Sequence, residues 1–455
     1  MERLLIVSAD GHAGAPASAY RDYIESKYLD DLKKVEAENE AFAEAAVSQR
    51  RYSKEKLDLM DSDNRIRNDG ELGAWELDTR LEELDHEGIA AEIVLSGTQL
   101  ATLPFFHPTS EAYPPDMRAA GARAYHRHLA DLMSESGGRL FGVADPGPCL
   151  DMDATLQELR WVREHGFVGV HPPGQIDDPA LPPLYDSYYD PFWSTCEELG
   201  LVLNPHAGYG TVQGQFVIKG MRAMMGDPSD EDMLKMVMTA DRGIDKMPYD
   251  SPPRVALTKP RRVIWQMMLG GAFDRHPGLR VILTEVRADW IPDTIGYLDQ
   301  AFDDGRFPTK RRPTEYWETN FGVCPSSPRP YELDLRERIG VDRFLFGADY
   351  PHPEGTWPNT LDWIRTTFAD VSEQDARKIL GENAIAFYGL DREPLEKVAD
   401  KIGPIPADVL GSGHSVSERL IETFHDRSGY NRPAELLDPG FMDSMVTADV
   451  AGAGQ

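Results

Sequence analysis

The stretch LLIVSADGH, residues 4–12, is an apolar run that ends in ionisable residues. Its first part, LLIVSAD at 4–10, is continuously apolar rather than alternating, which is typical of a parallel strand buried on both faces. Asp10 and His12 alternate around Gly11, so in an extended chain both side chains point to the same face. The stretch therefore predicts a first buried strand whose carboxyl end presents two candidate metal ligands.

Seven further apolar runs resemble the first, and amphipathic segments lie between several of them. We predict that these strands lie at 90–96, 140–145, 166–171, 200–206, 280–285, 318–322 and 343–349. Eight strands that alternate with helices predict an α/β fold, specifically a (β/α)8 TIM barrel. A doubly wound sheet is the alternative, but the sequence DGHAGAP after the first strand lacks the GxGxxG phosphate loop of that fold.

Three regions interrupt the regular spacing of strands and helices. Residues 17–80 and 207–258 are long insertions after strands 1 and 5, and they are predicted to be helical and to lie on the C-terminal face of the barrel. We expect the barrel to occupy 1–391 and a C-terminal extension to occupy 392–455. The Met-rich second insertion and the extension favour a homo-oligomer.

The overall charge excludes several classes of partner. The formal net charge is −30, and nucleic acid and anionic membranes both require basic patches. No apolar run reaches the roughly 18 residues of a membrane span. The three cysteines form no CxxC pair, and the apolar part of the N-terminus is too short for a signal peptide. We therefore expect a cytoplasmic protein that acts on a small molecule and binds neither nucleic acid nor membrane.

Ionisable residues stand at the carboxyl ends of four more predicted strands, and these ends converge in a barrel. They are His171, His206, Glu285 and Asp349. Histidines and carboxylates without a thiolate suit zinc, manganese or a similar divalent ion. Each residue also has a purely structural interpretation. His171 and His206 could hydrogen-bond a loop, Asp10 and Asp349 could initiate turns, and Glu285 could pair with Arg287 or Arg261.

Three motifs resemble the amidohydrolase-related family of the metal-dependent hydrolase superfamily. They are SADGH at strand 1, NPHAG at strand 5 and LFGADYPHPEGTWP at strand 8. The family includes aminocarboxymuconate-semialdehyde and resorcylate-type decarboxylases, and GENAIAFYGLD at 381–391 resembles its closing helix. The resemblance implies that Asp10, His12, His206 and Asp349 bind one divalent metal ion. His171 stands where dinuclear members carry a carboxylated lysine, so a mononuclear site is implied.

The sequence departs from the family at strand 6, which ends in Glu285 where many members carry a proton-relaying histidine. Glu285 could be a metal ligand, a proton acceptor or the partner that orients His206. His352 and Asp349 are the other candidates for proton transfer. The candidate substrate-binding residues are His171, Phe106, Trp290 and Trp357.

These residues predict a metal-dependent hydrolase in which a metal-activated water cleaves a C–N or C–O bond. Zinc is the expected ion and manganese the alternative. One alternative function uses the same centre for non-oxidative decarboxylation, or hydration, of an aromatic or enoic acid. Another is a non-catalytic barrel that binds a ligand or partner, since fold alone does not fix function.

Overall fold

The computed structural model describes residues 3–46, 52–97, 103–106, 112–212, 252–427 and 439–454. Within these ranges, seven strands form one parallel sheet in the order β1-β2-β3-β4-β6-β8-β9, and β5 pairs with β7 separately. The strands are β1 (Ile6–Ala13), β2 (Ile89–Ser96), β3 (Leu140–Ala144), β4 (Gly169–Val170), β5 (Ile176–Asp177), β6 (Val202–Leu203), β7 (Thr211–Val212), β8 (Val281–Thr284) and β9 (Phe321–Cys324). The fold is therefore α/β with a curled parallel sheet.

Helices separate most of these strands and continue beyond the last one. In the same ranges the α-helices span Leu29–Ala46, Lys54–Met60, Leu77–His86, Pro115–Glu135, Met152–Glu164, Asp190–Leu199, Pro252–Leu269, Ala272–Arg275, Ile291–Asp303, Pro313–Asn320, Pro330–Leu333, Arg336–Ile339, Thr360–Thr367, Glu373–Arg377, Asn383–Tyr388, Arg392–Ile402, Pro406–Val409, Glu418–Arg427 and Pro439–Ala453. Among these helices, none is both long and apolar enough to cross a membrane.

The first strand is buried at all eight positions. Ile6 belongs to one apolar cluster, whereas Val7 and Ala9 belong to a second cluster on the other face. Apolar packing on both faces is why the sequence here is continuously hydrophobic rather than alternating.

The predicted eighth strand is not a regular strand, but it connects the two edges of the sheet. Within 344–350, Phe344 bridges Val323 of β9 and Tyr350 bridges Gly11 of β1, both in parallel. The ladder is irregular between these bridges, where the Ser8 hydroxyl rather than a backbone carbonyl accepts the Ala348 N–H at 2.9 Å.

The predicted strand at 318–322 is wrong in its first half. The helix Pro313–Asn320 occupies that part of the chain, and β9 starts at Phe321. Pro313 stands at the first turn of the helix, and the Glu315 carboxylate accepts the Arg312 N–H at 2.9 Å. Both features favour the start of a helix here over a strand.

The first insertion and the C-terminal region both pack onto the body of the molecule. Leu57 and Met60 share an apolar cluster with Trp357 and Trp363. The Leu4 N–H donates to the Pro404 carbonyl at 2.9 Å. Most of the second predicted insertion, at 213–251, lies outside the described residues, including the Met-rich segment. The boundary between 1–391 and 392–455 stays a prediction.

Candidate metal centre

The structure brings the four predicted metal ligands together at the carboxyl ends of the strands. His12 Nε2 lies 3.4 Å from Asp10 Oδ1 and 3.3 Å from Asp349 Oδ1. His206 Nε2 lies 3.7 Å from the same Asp10 oxygen. Asp10, His12 and His206 each offer one ligand atom, and these three atoms all lie within 4.8 Å of one another. One strand, the loop after β6 and the 344–350 segment thus supply one cluster.

The atoms that face one another in this cluster have no hydrogen-bond partner. They are Asp10 Oδ1, His12 Nε2, His206 Nε2 and both carboxylate oxygens of Asp349, all buried. The other ring nitrogens face backbone carbonyls, with His12 Nδ1 3.4 Å from Ser96 O and His206 Nδ1 3.1 Å from Ala207 O. Each unsatisfied buried polar atom costs about 1–3 kcal/mol. A divalent cation would satisfy these atoms together, so the donor set fits a metal ion.

Gly11 between the two ligands of β1 is explained by what lies behind it. A Cβ on Gly11 would lie 2.0 Å from Glu92 Oε1, so no side chain fits there. Glu92 is buried and accepts two hydrogen bonds from Arg80, at 2.6 and 2.9 Å. Arg80 also donates to the His12 carbonyl at 2.8 Å. This buried ion pair fixes the backbone that carries Asp10 and His12.

Glu285 faces the cluster, not an arginine. Its Oε2 lies 3.3 Å from His206 Nε2, the nitrogen that faces the other ligands. His206 Nδ1 already faces a backbone carbonyl, which favours Glu285 as a ligand or proton carrier over the orienting partner, and its role stays a prediction. Glu285 and Asp349 both have left-handed backbone, with φ of 54° and 57°. Such strained conformations are often found at functional sites.

His352 and Glu354 extend the cluster on the side of Asp349. The His352 ring stacks on His12 at 3.9 Å between centroids, and its Nδ1 lies 3.2 Å from Asp349 Oδ1. Oxygen atoms of Glu285, Asp349 and Glu354 lie within 4.8 Å of one another. Sequence reasoning missed Glu354, although it lies in the quoted strand 8 motif.

Burial and charge shift several pKa values in opposite directions. Burial alone would raise the pKa of Asp10, but the nearby His12 and His206 rings outweigh it and lower that pKa. Burial opposes the charged form of His12, yet the nearby carboxylates of Asp10 and Asp349 raise its pKa well above the usual value. Burial, reinforced by the neighbouring negative charges of Asp349 and Asp10, raises the pKa of Glu285. The cluster therefore contains both a stabilised carboxylate and a carboxyl group that favours its protonated form.

Ser326 is a further residue of the cluster that the sequence did not reveal. Its hydroxyl donates to Asp10 Oδ2, the oxygen that does not face the histidines. Ser326 follows β9, close to Cys324, which is fully buried. Burial raises the pKa of the Cys324 thiol, so this cysteine is not an activated nucleophile.

The predicted substrate-binding residues lie in varied surroundings. His171 Nδ1 lies 2.7 Å from the Asn204 carbonyl, and its ring is 6.3 Å from that of His206. Phe106 is buried against Tyr125. The Trp357 indole donates to Glu83 at 2.7 Å, and Trp290 lies under the Arg261 guanidinium. Of the four, His171 is the one that these contacts place beside a metal-ligand candidate, and the roles of all four stay predictions.

The chain is similar in sequence to two kinds of decarboxylase. Gamma-resorcylate decarboxylase of Rhodococcus jostii is 28% identical over 330 residues, covering 69% of this chain and 88% of that enzyme. The 2-amino-3-carboxymuconate-6-semialdehyde decarboxylase of Dictyostelium discoideum is 26% identical over 342 residues, covering 70% and 77%.

The fold is also shared with a solved decarboxylase structure. The 5-carboxyvanillate decarboxylase of Novosphingobium aromaticivorans, solved with manganese and 4-hydroxy-3-methoxy-5-nitrobenzoic acid, gives a TM-score of 0.56 at 17% identity. The match covers 85% of this chain and 96% of that one. The sequence model of the family described as "Amidohydrolase" matches residues 99–390, which is more than half of the 455 residues. The chain therefore belongs to the amidohydrolase family.

Proposed function

We propose that this protein is a metal-dependent, non-oxidative decarboxylase of a hydroxylated aromatic or enoic acid. The observation that carries the proposal is the group of converging, unpartnered ligand atoms of Asp10, His12, His206 and Asp349. The decarboxylase relatives cover more than two thirds of the chain, which favours this reaction over the hydrolysis expected first from the sequence.

The bridges from 344–350 to β9 and β1 support closure of the sheet into a complete (β/α)8 barrel. In that barrel Asp10, His12, His206 and Asp349 hold one divalent ion. When bound, the ion supplies Lewis-acid polarisation of substrate oxygen atoms. Manganese is the first candidate, because a structural relative contains it, and zinc is the second.

Decarboxylation breaks the bond between a carbon atom and the carboxyl group, releases CO2 and leaves the electron pair on that carbon. The carbon must then receive a proton from a group close to it. The candidate proton donors are Glu285, Asp349 and His352, and the proposal is supported by the contacts of Glu285 with His206 and of His352 with Asp349. Glu285→Gln and His352→Gln each remove one candidate proton carrier without removing the four proposed ligands. The carrier is the residue whose loss abolishes protonation while metal content is retained.

The test uses purified protein loaded with manganese or zinc and supplied with γ-resorcylate, 5-carboxyvanillate and enoic dicarboxylates. We expect CO2 release, deuterium from D2O on the product carbon, and no oxygen from labelled water in the product. His206→Ala should lose metal and activity. His276→Ala is the matched control, because this histidine pairs with Glu197 at 3.3 Å outside the cluster.

Other outcomes identify the alternative functions. Incorporation of labelled oxygen into a cleaved C–N or C–O product would make the protein a hydrolase. A wild-type protein that binds no stoichiometric metal ion, and that chelators do not affect, would be a non-catalytic barrel.

A further inference from the structure

Arg287 is a buried arginine that is only partly paired, two residues after Glu285. Its side chain is 7% exposed, and its Nε donates to Glu332 Oε1 at 3.1 Å. The same Glu332 oxygen accepts the Ala288 N–H at 2.8 Å, and its other oxygen accepts the Arg329 N–H at 2.9 Å. Both terminal nitrogens of Arg287, Nη1 and Nη2, are buried without a hydrogen-bond partner. One edge of the guanidinium is therefore fixed and the other edge is vacant.

A second buried arginine nearby also has a side-chain nitrogen without a hydrogen-bond partner. Arg261 is 6% exposed, its Nε has no partner, and its guanidinium lies 4.5 Å from the centre of the Trp290 ring. Asp289 is the acidic group that acts on both Arg261 and Arg287, but its Oδ1 accepts no hydrogen bond. The Tyr331 ring lies 5.1 Å from the Arg287 guanidinium, and its buried hydroxyl also has no partner.

Arg287, Arg261, Asp289 and Tyr331 form one buried group in which the guanidinium edge of Arg287 has no acceptor. In a chain of net charge −30, such an edge is a local feature that would admit an anionic ligand. A guanidinium that presents two parallel N–H groups matches a carboxylate bidentately. An unpaired buried charge is otherwise costly, so the vacant edge indicates a missing partner.

The group lies at the same end of the sheet as the metal centre. Arg287 follows Glu285, which contacts His206, and Glu332 follows Ser326, which binds Asp10. We infer that the vacant edge of Arg287 binds a second carboxylate of the substrate, distinct from the one that is removed. The substrate class is then a dicarboxylic acid; this assignment rests on the proposed decarboxylase function.

The test compares two unreactive ligands that differ by one carboxylate. They are 4-hydroxy-3-methoxy-5-nitrobenzoate and 2-methoxy-6-nitrophenol, titrated calorimetrically into the metal-loaded protein. We expect the wild type to bind the carboxylate at least about 10-fold more tightly. Arg287→Gln should weaken binding of the carboxylate about 10- to 100-fold and change the affinity for the phenol less than about twofold. Arg287→Lys should keep part of the preference, because it keeps the charge but not the planar fork.

The control is Arg280→Gln, at the opposite end of the same strand, which should change neither affinity. Arg287→Gln removes a partner of Glu332, so circular dichroism and metal content are measured first. If that variant does not fold, the preference of Arg287→Lys is compared with that of the wild type. The inference is overturned if the wild type shows no preference, or if the Arg287 variants weaken both ligands equally. A sulfate-induced rise in melting temperature without any carboxylate preference means that an inorganic anion alone binds, and it also overturns the inference.

Failure of this inference is distinguishable from failure of the proposed function, because binding is measured without turnover. Absence of CO2 release from every acid, with selective binding of the carboxylate, would refute decarboxylation alone. Release of CO2 from γ-resorcylate by a wild type without carboxylate preference would refute the second carboxylate site alone.

Discussion

Asp349 and Asp449 are both buried carboxylates, and they have opposite surroundings. Asp449, on the helix Pro439–Ala453, accepts hydrogen bonds from Arg262, Trp265 and Gln266 at 2.6–3.1 Å. Asp349, at the carboxyl end of 344–350, is 1% exposed, and neither of its oxygens accepts a hydrogen bond. The first site is complete within the protein, whereas the proposed metal ion would complete the second.

The difference separates a carboxylate that stabilises the fold from one that is kept available for a ligand. Four donors offset the desolvation of Asp449 and attach the C-terminal helix to the helix Pro252–Leu269. At Asp349 the same desolvation is not offset by any neutral donor, so the protein without metal carries that cost. Substitution at the two positions should therefore change different measured quantities.

Asp349→Asn is expected to give the largest functional effect. Asparagine tolerates the left-handed backbone at this position, so the fold should be retained. Turnover should fall about 10²–10⁴-fold, because a proposed metal ligand and candidate proton carrier is lost. Without metal, the melting temperature should be equal to that of the wild type or higher, since a buried unpaired charge is removed. A clearly lower melting temperature of the metal-free variant would contradict the comparison.

Asp449→Asn should instead affect stability. It leaves Arg262, which is 34% exposed, beside a neutral amide and weakens four hydrogen bonds to a buried group, so the free energy of unfolding should fall by about 1–3 kcal/mol. Urea denaturation of the metal-free protein measures this loss. Turnover per metal-loaded molecule should match that of the wild type below the melting transition. If turnover falls while the free energy of unfolding stays the same, Asp449 affects the candidate metal centre and the contrast with Asp349 fails.

The sequence predicted those parts of the site that one strand encodes locally. Asp10 and His12 belong to one continuous apolar run, so their shared face follows from strand geometry. The positions of His206 and Asp349 could be predicted through the rule that the carboxyl ends of parallel strands converge. The α/β fold with a parallel sheet is confirmed.

The sequence could not predict partners that are distant along the chain. Arg287 was a candidate partner for Glu285, yet it pairs with Glu332, 45 residues away. Asp449 binds Arg262 across 187 residues. Such pairs depend on how separate helices and loops pack, and no local pattern specifies them. The helix at 313–320 could have been predicted, because Pro313 and Glu315 are local signals for the start of a helix.

Ser326→Ala sharpens the comparison within the metal centre. The Ser326 hydroxyl binds the outer oxygen of Asp10 and holds the carboxylate so that Oδ1 faces the histidines. Its loss should lower manganese affinity about 10- to 100-fold, which is the usual effect of removing a group that orients a ligand. Competition with a chelating dye measures the affinity. Ser327→Ala is the matched control, because the buried Ser327 hydroxyl has no hydrogen-bond partner. Equal effects of the two variants would exclude this orienting role.

Glu158→Gln extends the comparison to the pH dependence of stability and has the smallest expected effect. Burial alone would raise the pKa of Glu158, but His126 and Arg127 outweigh it and lower the pKa from 4.5 to about 2. Because the folded-state pKa lies below the unfolded one, the stabilisation is present above about pH 4.5 and is lost as the pH falls towards 2.

The stabilisation that is lost should be about 1–2 kcal/mol, since Arg127 is 28% exposed and solvent screens the pair. Urea denaturation of the wild type and of Glu158→Gln at several pH values measures this loss. The variant should be less stable at neutral pH and should have a flatter stability profile between pH 4.5 and 2. Glu198→Gln removes an exposed, solvent-screened ion pair with Arg160 and should change the profile much less. If both variants flatten the profile equally, surface charge in general, and not the buried Glu158 carboxylate, governs the loss of stability at low pH. Glu158 would then not be a carboxylate that stabilises the fold as Asp449 does.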